Sequence, residues 1–169
     1  MKKYNVQNYI RYKKDLKQFS QLLKELSNNE ANLPPNLSNI VIDSISQPLR
    51  NEVLKNYNNP RKIVKILNNF FSESLLPLIF FCIGNNITLI LIHEITYNPK
   101  INKTVPFFND LYDRIDSIKI GLFKQPENSE KIMKININGI NFFITYHIKQ
   151  SGFHWVSFLK EKPKEIFFL

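Results

Sequence analysis

The feature that most constrains the fold of this chain is a pair of almost entirely apolar segments, residues 78–83 and 87–92, on either side of Gly84-Asn85-Asn86. Each segment has the length of a strand, and the three residues between them favour a tight turn. Neither segment alternates apolar with polar residues, which is typical of strands that are covered on both faces. The sequence therefore predicts a central antiparallel hairpin. Because Pro77 and the turn interrupt the apolar stretch, we expect no membrane span there.

Apolar residues recur at helical spacing through most of the first 75 residues. Residues 9–26 form the clearest amphipathic stripe, and Pro34-Pro35 lies beyond its end. Two further helices are predicted, one over residues 38–54 and one that begins at Asn59-Pro60, where Asn is a preferred cap and Pro fits the first turn. The first part of the chain is therefore predicted to be mostly helical.

Strand patterning returns after residue 130. Residues 131–138, 140–149 and 153–160 are predicted to form a meander, with tight turns at Asn138-Gly139 and Gln150-Ser151. With a two-residue turn at the second position, His147 lies opposite His154.

Two further elements complete the prediction. Thr104-Val105-Pro106 favours the start of another helix, which ends near Gly121, and residues 165–169 add a short edge strand. The order of elements predicts an α+β fold in which N-terminal helices pack on an antiparallel sheet of about five strands, arranged as hairpin, helix and meander. We expect residues 1–30 to form an N-terminal amphipathic helical arm and residues 36–169 a single α+β domain.

The net charge is +9 and the pI about 9.6, which is typical of proteins that bind nucleic acid or anionic surfaces. The 23 basic residues comprise 19 Lys and only 4 Arg, beside 22 Asn and 23 Ile, a set that the codons of an AT-rich genome favour. Since Arg is the side chain that grips phosphates and bases best, its scarcity weakens the nucleic-acid interpretation. The single cysteine, Cys82, and an N-terminus without an apolar signal segment predict a cytoplasmic location.

No motif of a common enzyme class is present: the sequence has neither a glycine-rich phosphate loop nor the HExxH, GxSxG or paired-cysteine patterns. We therefore assign no catalytic residue and expect no cofactor. His147 and His154 are weak candidates for metal ligands, because two imidazoles would need a third ligand. A pair of half-buried histidines is the alternative that we favour.

The candidate binding residues are Lys13, Lys14 and Lys17 with the interleaved Tyr9 and Tyr12, together with Arg61 and Lys62. Lysines beside aromatic rings could contact single-stranded nucleic acid, and the same helix could bind a partner protein. The alternative is that both tyrosines belong to the apolar stripe of their own helix.

These observations favour a non-catalytic cytoplasmic protein that acts through protein–protein contacts, as a subunit of a larger assembly. The first alternative is a nucleic-acid-binding accessory protein with a Lys-rich surface, and the second is an enzyme or small-ligand binder of an uncommon family. Because narrow helical stripes cannot cover a sheet that is apolar on both faces, we expect a homo-oligomer or a protein partner.

Overall fold

The computed structural model describes residues 11, 13, 15–29, 31, 33–34, 36–99, 102–124, 131–159 and 167–168. They fall into two compact units. The first unit holds the residues up to Thr96 together with Pro106–Leu111, and the second holds Tyr97–Val105 together with the residues from Tyr112 onward. The fold is α+β, as predicted. The predicted division into residues 1–30 and 36–169 stays a prediction.

The first unit contains four longer helices and a two-stranded sheet. In chain order its elements are α1 (Leu16–Ser27), β1 (Asn39–Ile42), α2 (Ser46–Lys55), α3 (Pro60–Phe70), α4 (Leu76–Gly84) and β2 (Thr88–Leu91). Strands β1 and β2 are parallel, with Asn39 opposite Thr88 and Ile42 opposite Leu91. Parallel neighbours need a crossover connection, which α2, α3 and α4 supply.

The predicted central hairpin is wrong, because residues 78–83 lie in α4 and not in a strand. A short apolar run without flanking polar alternation suits a helix as well as a strand. A π-helical turn, Phe71–Leu75, joins α3 to α4. Pro77 has no N–H to donate to the carbonyl of Glu73, and in the wider turn just before it the Leu76 N–H bonds to the Phe71 carbonyl. The chain thus remains helical past the proline.

The helix predicted over residues 38–54 begins later than its spacing indicates. Residues 39–42 form β1, and α2 starts at Ser46, so that Pro48 lies in its first turn and does not kink it. The missing N–H of proline is harmless in a first turn because those donors have no partner within the helix. The predicted Asn59 cap is confirmed, since its Oδ1 accepts the Lys62 N–H at 3.0 Å.

Helix α1 packs into the core of the first unit. The rings of Phe19 and Phe70 stack with centroids 5.9 Å apart, and Leu23 is 1% exposed. Lys24 Nζ lies 3.1 Å from Glu73 Oε2, which ties α1 to the π-helical turn. The other apolar side chains that the structure describes in this unit with an exposed fraction of 2% or less are Ile45, Leu49, Leu75, Leu78 and Cys82.

Helices α3 and α4 and the turn between them form one continuous helix of 25 residues, Pro60–Gly84. The helix is long enough to cross a bilayer, and its most apolar 18-residue window has a mean hydropathy of 1.6, with 28% of that window buried. Core helices of water-soluble proteins pass the same test, so the absence of a membrane span stays a prediction.

The chain continues through β3 (Ile95–Asn98), β4 (Lys103–Pro106) and the short helix α5 (Asn109–Tyr112). Strands β3 and β4 pair with each other. The helix predicted from Thr104 to Gly121 is therefore limited to the single turn of α5, because the chain is extended before it and again from Lys119. Residues 118, 120 and 122 are all apolar, a period-2 pattern that indicates the strand beginning at Lys119.

The second unit is built on a five-stranded antiparallel sheet. Its strands are β5 (Lys119–Lys124), β6 (Lys131–Ile137), β7 (Ile140–Lys149), β8 (Gly152–Leu159) and β9 (Phe167–Phe168), in the spatial order β8-β7-β6-β5-β9. The predicted meander and C-terminal edge strand are confirmed. The turn between β6 and β7 places Asn138 at φ 51° and Gly139 at φ 85°, which are the positive values that a tight hairpin turn requires.

Strand β8 lies at one edge of this sheet and contains a bulge. Thr145 pairs with Ser157 whereas Tyr146 pairs with Trp155, so Val156 is an extra residue on β8. A bulge bends the strand and increases its twist.

Candidate interaction surface

The two faces of the five-stranded sheet differ in composition. Side chains alternate between the faces along each strand, and the register assigns each residue to one of them. The face that we call the apolar face carries Ile120, Leu122, Met133, Ile135, Ile137, Ile140, Phe142, Ile144, Ile148, Phe153, Trp155 and Phe158. Three polar or charged residues share it, Lys124, Lys131 and Tyr146, and these lie in one cross-strand row.

Much of the apolar face is exposed to solvent. Exposed fractions between 39% and 64% occur at nine of its side chains, namely Ile120, Leu122, Ile137, Ile140, Phe142, Ile148, Phe153, Trp155 and Phe158. Together they expose on the order of 1,000 Å² of largely apolar surface, since a large side chain offers ~200 Å² in all. The largest apolar patch on a typical monomer is ~300–600 Å². The apolar face is therefore larger than an ordinary surface patch.

The opposite face, which we call the mixed face, contains a small buried cluster. Phe123, Ile132 and Phe143 are each less than 9% exposed, and Leu159 packs against them. Polar and charged side chains share this face, including Asn141 and Lys149. An antiparallel sheet normally turns its more apolar face toward a covering layer and its polar face toward water. The composition of the apolar face thus indicates a surface that another layer covers.

Tyr146 lies within the apolar face and is 1% exposed. Its ring stacks on Phe153 with a centroid distance of 4.9 Å, and burial raises the pKa of its hydroxyl above the ordinary 10.0. Trp155 and Phe158 form a second aromatic pair, 6.0 Å apart. These contacts group four aromatic side chains at one end of the apolar face.

The basic residues singled out in the sequence are only partly described. Tyr9, Tyr12 and Lys14 lie outside the described residues. Lys13 and Lys17 are exposed, the latter on α1. Arg61 and Lys62 are exposed in the first turn of α3. The proposed alternation of lysine and tyrosine stays a prediction.

His147 and His154 face each other across β7 and β8, as the two-residue turn predicts. They lie on the mixed face, and His154 Nε2 is 2.7 Å from Ser151 Oγ. Within the described ranges, no group of three or more His, Cys, Asp or Glu side chains is placed to hold a metal ion. The two histidines thus lie together, and the described part of the chain places no third ligand beside them.

A polar cluster that sequence reasoning missed lies in the first unit, beyond the carboxyl ends of β1 and β2. Arg50 Nη2 is 3.1 Å from Glu94 Oε2, and the guanidinium carbon lies 4.5 Å from the centroid of the Phe107 ring. Ser46 is fully buried, and its Oγ accepts the Glu94 N–H at 3.2 Å. Ligands often bind at this edge of parallel sheets. Here Arg50 and Glu94 neutralise each other's charge. Their ion pair links α2 to the residues that follow β2.

Desolvation shifts the pKa of two titratable groups in the first unit, the half-buried His93 and the buried Cys82. His93, next to this cluster, is kept neutral because burial lowers its pKa to about 4. Burial also raises the pKa of the Cys82 thiol, which makes it a poor nucleophile.

No local motif marks the Arg50–Glu94 pair, since its partners lie far apart in sequence and on separate elements.

Of the surfaces described, the apolar face is the one most suited to binding a partner. The geometry and composition of the face are the grounds for choosing it. Comparison of the sequence with models of known protein families and with curated proteins gives no match.

Proposed function

We propose that this chain is a non-catalytic cytoplasmic protein that acts through protein–protein contacts at the apolar face of its five-stranded sheet, as a subunit of a larger assembly. The single observation that carries the proposal is the exposure of nine large apolar side chains on one sheet face. Leaving such a surface in water is unfavourable by ~25 cal/mol per Å². A partner that covers it would recover that free energy.

The residue types on the apolar face fit a protein partner. Interface centres are enriched in aromatic residues and depleted of charge, and their rims are polar. Phe142, Trp155 and Phe158 supply aromatic anchors, whereas Lys124 and Lys131 lie in a row at one end of the face. Flat apolar strands also offer many aliphatic groups, which cannot stack on bases. The composition therefore favours protein over nucleic acid as the main partner.

The test compares two double variants of an epitope-tagged chain in native extracts. I140S/F158S removes two anchors of the apolar face. F80S/I83S is the matched control on α4, because Phe80 and Phe158 are both 64% exposed and Ile83 and Ile140 are 69% and 63% exposed. We expect the wild type and the control to migrate above 20.0 kDa in size-exclusion chromatography and I140S/F158S to migrate as a monomer. A complex that withstands I140S/F158S would refute the proposal.

The alternative, a nucleic-acid-binding accessory protein, is supported by one feature of the same sheet. Lys124 and Lys131 pair across β5 and β6, and Trp155 lies in their row. Aromatic rings beside lysines suit single strands. Binding to a labelled 20-mer DNA or RNA would then weaken steeply with salt, by ~0.7 in log K per log unit of salt for each phosphate contacted. Affinity that does not change between low and high salt would exclude this alternative.

A further inference from the structure

We infer that the occupant of the apolar face is a second copy of this chain, bound face to face about a two-fold axis. This inference rests on the proposed function and names its partner. Two antiparallel sheets pack ~10 Å apart with interdigitating side chains, as in β-sandwiches. In a dimer of this kind each sheet would supply one of the two layers.

The exposed area on the apolar face matches what a stable dimer needs. A standard interface buries ~800 Å² on each partner. The nine exposed side chains of the apolar face offer slightly more than this, on the order of 1,000 Å². Homodimer interfaces are also more apolar than interfaces between proteins that meet transiently. Both the size and the composition of the face are those of a permanent homodimer.

The face is suited to pairing with itself because, among the residues that the structure describes, its interior includes no charged side chain. A two-fold interface is isologous, so each residue meets the same patch on the partner. Charged side chains near the axis would then meet like charges. Among the described residues of the apolar face, the charged ones are Lys124 and Lys131, which lie on β5 and β6 toward one corner. The remaining positions of the face can meet their own copies without such a penalty.

The proposed two-fold axis crosses the strands, an arrangement that keeps the lysines of the two copies apart. A two-fold axis that crosses the strands reverses the strand direction of the second sheet. Lys124 and Lys131 of the two copies then lie at opposite ends of the interface, where their ammonium groups reach water. The same axis places β7 over β7 of the other copy. Ile144 is the middle of the five apolar-face positions on β7, residues 140, 142, 144, 146 and 148, and it lies near the axis.

The first experiment measures the mass of the purified full-length chain by multi-angle light scattering from 1 to 100 µM. We expect ~40 kDa for the wild type, twice the mass of the 20.0 kDa chain. I140S/F158S should raise the dissociation constant at least ~100-fold, as the loss of two anchor residues does. F80S/I83S should dissociate like the wild type. Both variants replace exposed side chains, so circular dichroism should show all three proteins equally folded.

Three outcomes would overturn the inference. A wild type that is monomeric at 100 µM has no self-association of the required strength. Equal weakening by F80S/I83S would place the interface on α4. Flotation of a monomeric wild type with phosphatidylcholine–phosphatidylserine vesicles, abolished by I140S/F158S, would identify a lipid surface as the occupant.

The proposed function and the dimer fail separately. If the purified chain is monomeric while I140S/F158S still disrupts a larger complex in extracts, the proposed docking function stands. The homodimer is then excluded.

The second experiment tests the axis with a short bis-maleimide cross-linker. The native Cys82 is buried and reacts poorly, so an introduced cysteine reports on its own surroundings. We expect I144C to cross-link to itself and N141C, on the mixed face of the same strand, to remain uncross-linked. Cross-linking of N141C alone would overturn the face-to-face arrangement.

Discussion

We expect acid to destabilise the first unit through His93. Its ordinary pKa of 6.5 is lowered to about 4 by burial. Between these two pH values the imidazole is neutral in the folded protein and protonated in the unfolded chain. The unfolded state then binds more protons, and stability falls as the pH decreases from about 6.5 to about 4. At pH 7 both states are neutral and the residue has no such effect.

The variant H93Q removes this titration and keeps a polar side chain. We expect the urea midpoint of the wild type to drop between pH 7 and pH 4.5 by more than that of H93Q. The measurement is urea unfolding followed by circular dichroism at both pH values. If H93Q and the wild type lose the same stability, His93 is accessible to protons in the folded state.

Single residues were predictable where local backbone rules decide their role. The Asn59 cap, the turn at Asn138-Gly139 and the pairing of His147 with His154 follow from short-range spacing. The Arg50–Glu94 pair was not predictable, because long-range packing of α2 against the end of β2 creates it. The apolar face was predictable only once the register of the strands was known, since a shift by one residue moves every side chain to the other face.

At the scale of elements, helix α1 contributes to the core of the first unit through Leu23. We expect L23A to destabilise the protein by ~2–5 kcal/mol, the usual cost of removing a buried leucine side chain. The matched control is L54A on α2, since Leu54 is 63% exposed and Leu23 1%. L54A should change the free energy of unfolding by less than ~1 kcal/mol. Thermal or urea unfolding measures both.

The same variant tests whether residues 1–30 form a separable arm. An arm that acts on a partner would tolerate L23A, with stability near that of L54A. A loss of several kcal/mol would show that the arm is not separable from the folded core.

Elements were predicted well where two signals agreed and poorly where only one was present. In the meander, alternation and turn residues point to the same strands, and β6, β7 and β8 lie within one residue of the predicted bounds. Residues 78–83 offered only an apolar run, which does not distinguish a strand from a helix. Their helical state depends on the continuation of α3 through the turn at Phe71–Leu75, and no local pattern reveals it.

At the scale of the whole molecule, the sequence indicated too much apolar surface for the helices to cover. It placed that surface on the wrong segment, because residues 87–92 lie in or next to a two-stranded parallel sheet and Ile90 is 44% exposed. The exposed apolar surface of the second unit comes from residues 118–158. Polar residues interrupt the apolar ones there, so no long apolar run in the sequence reveals this surface. Net charge gives no guide to this face, since charge describes the whole surface and not one layer.

The bulge on β8 bears on whether further chains can add to this edge of the sheet. An edge strand with unpaired N–H and C=O groups is a template on which further chains can add, and apolar edges are the most hazardous. Strand β8 contains no charged residue to discourage this. Val156 instead interrupts the regular hydrogen-bonding phase, so an incoming straight strand can match only residues 152–155 or 157–159.

Deletion of Val156 should restore one continuous ladder edge while keeping every other side chain of β8 on its present face. We expect the deletion variant to form thioflavin-positive fibres faster than the wild type at equal concentration. V156A retains the extra residue and should behave like the wild type. Equal fibre growth in all three proteins would show that something other than the bulge protects this edge.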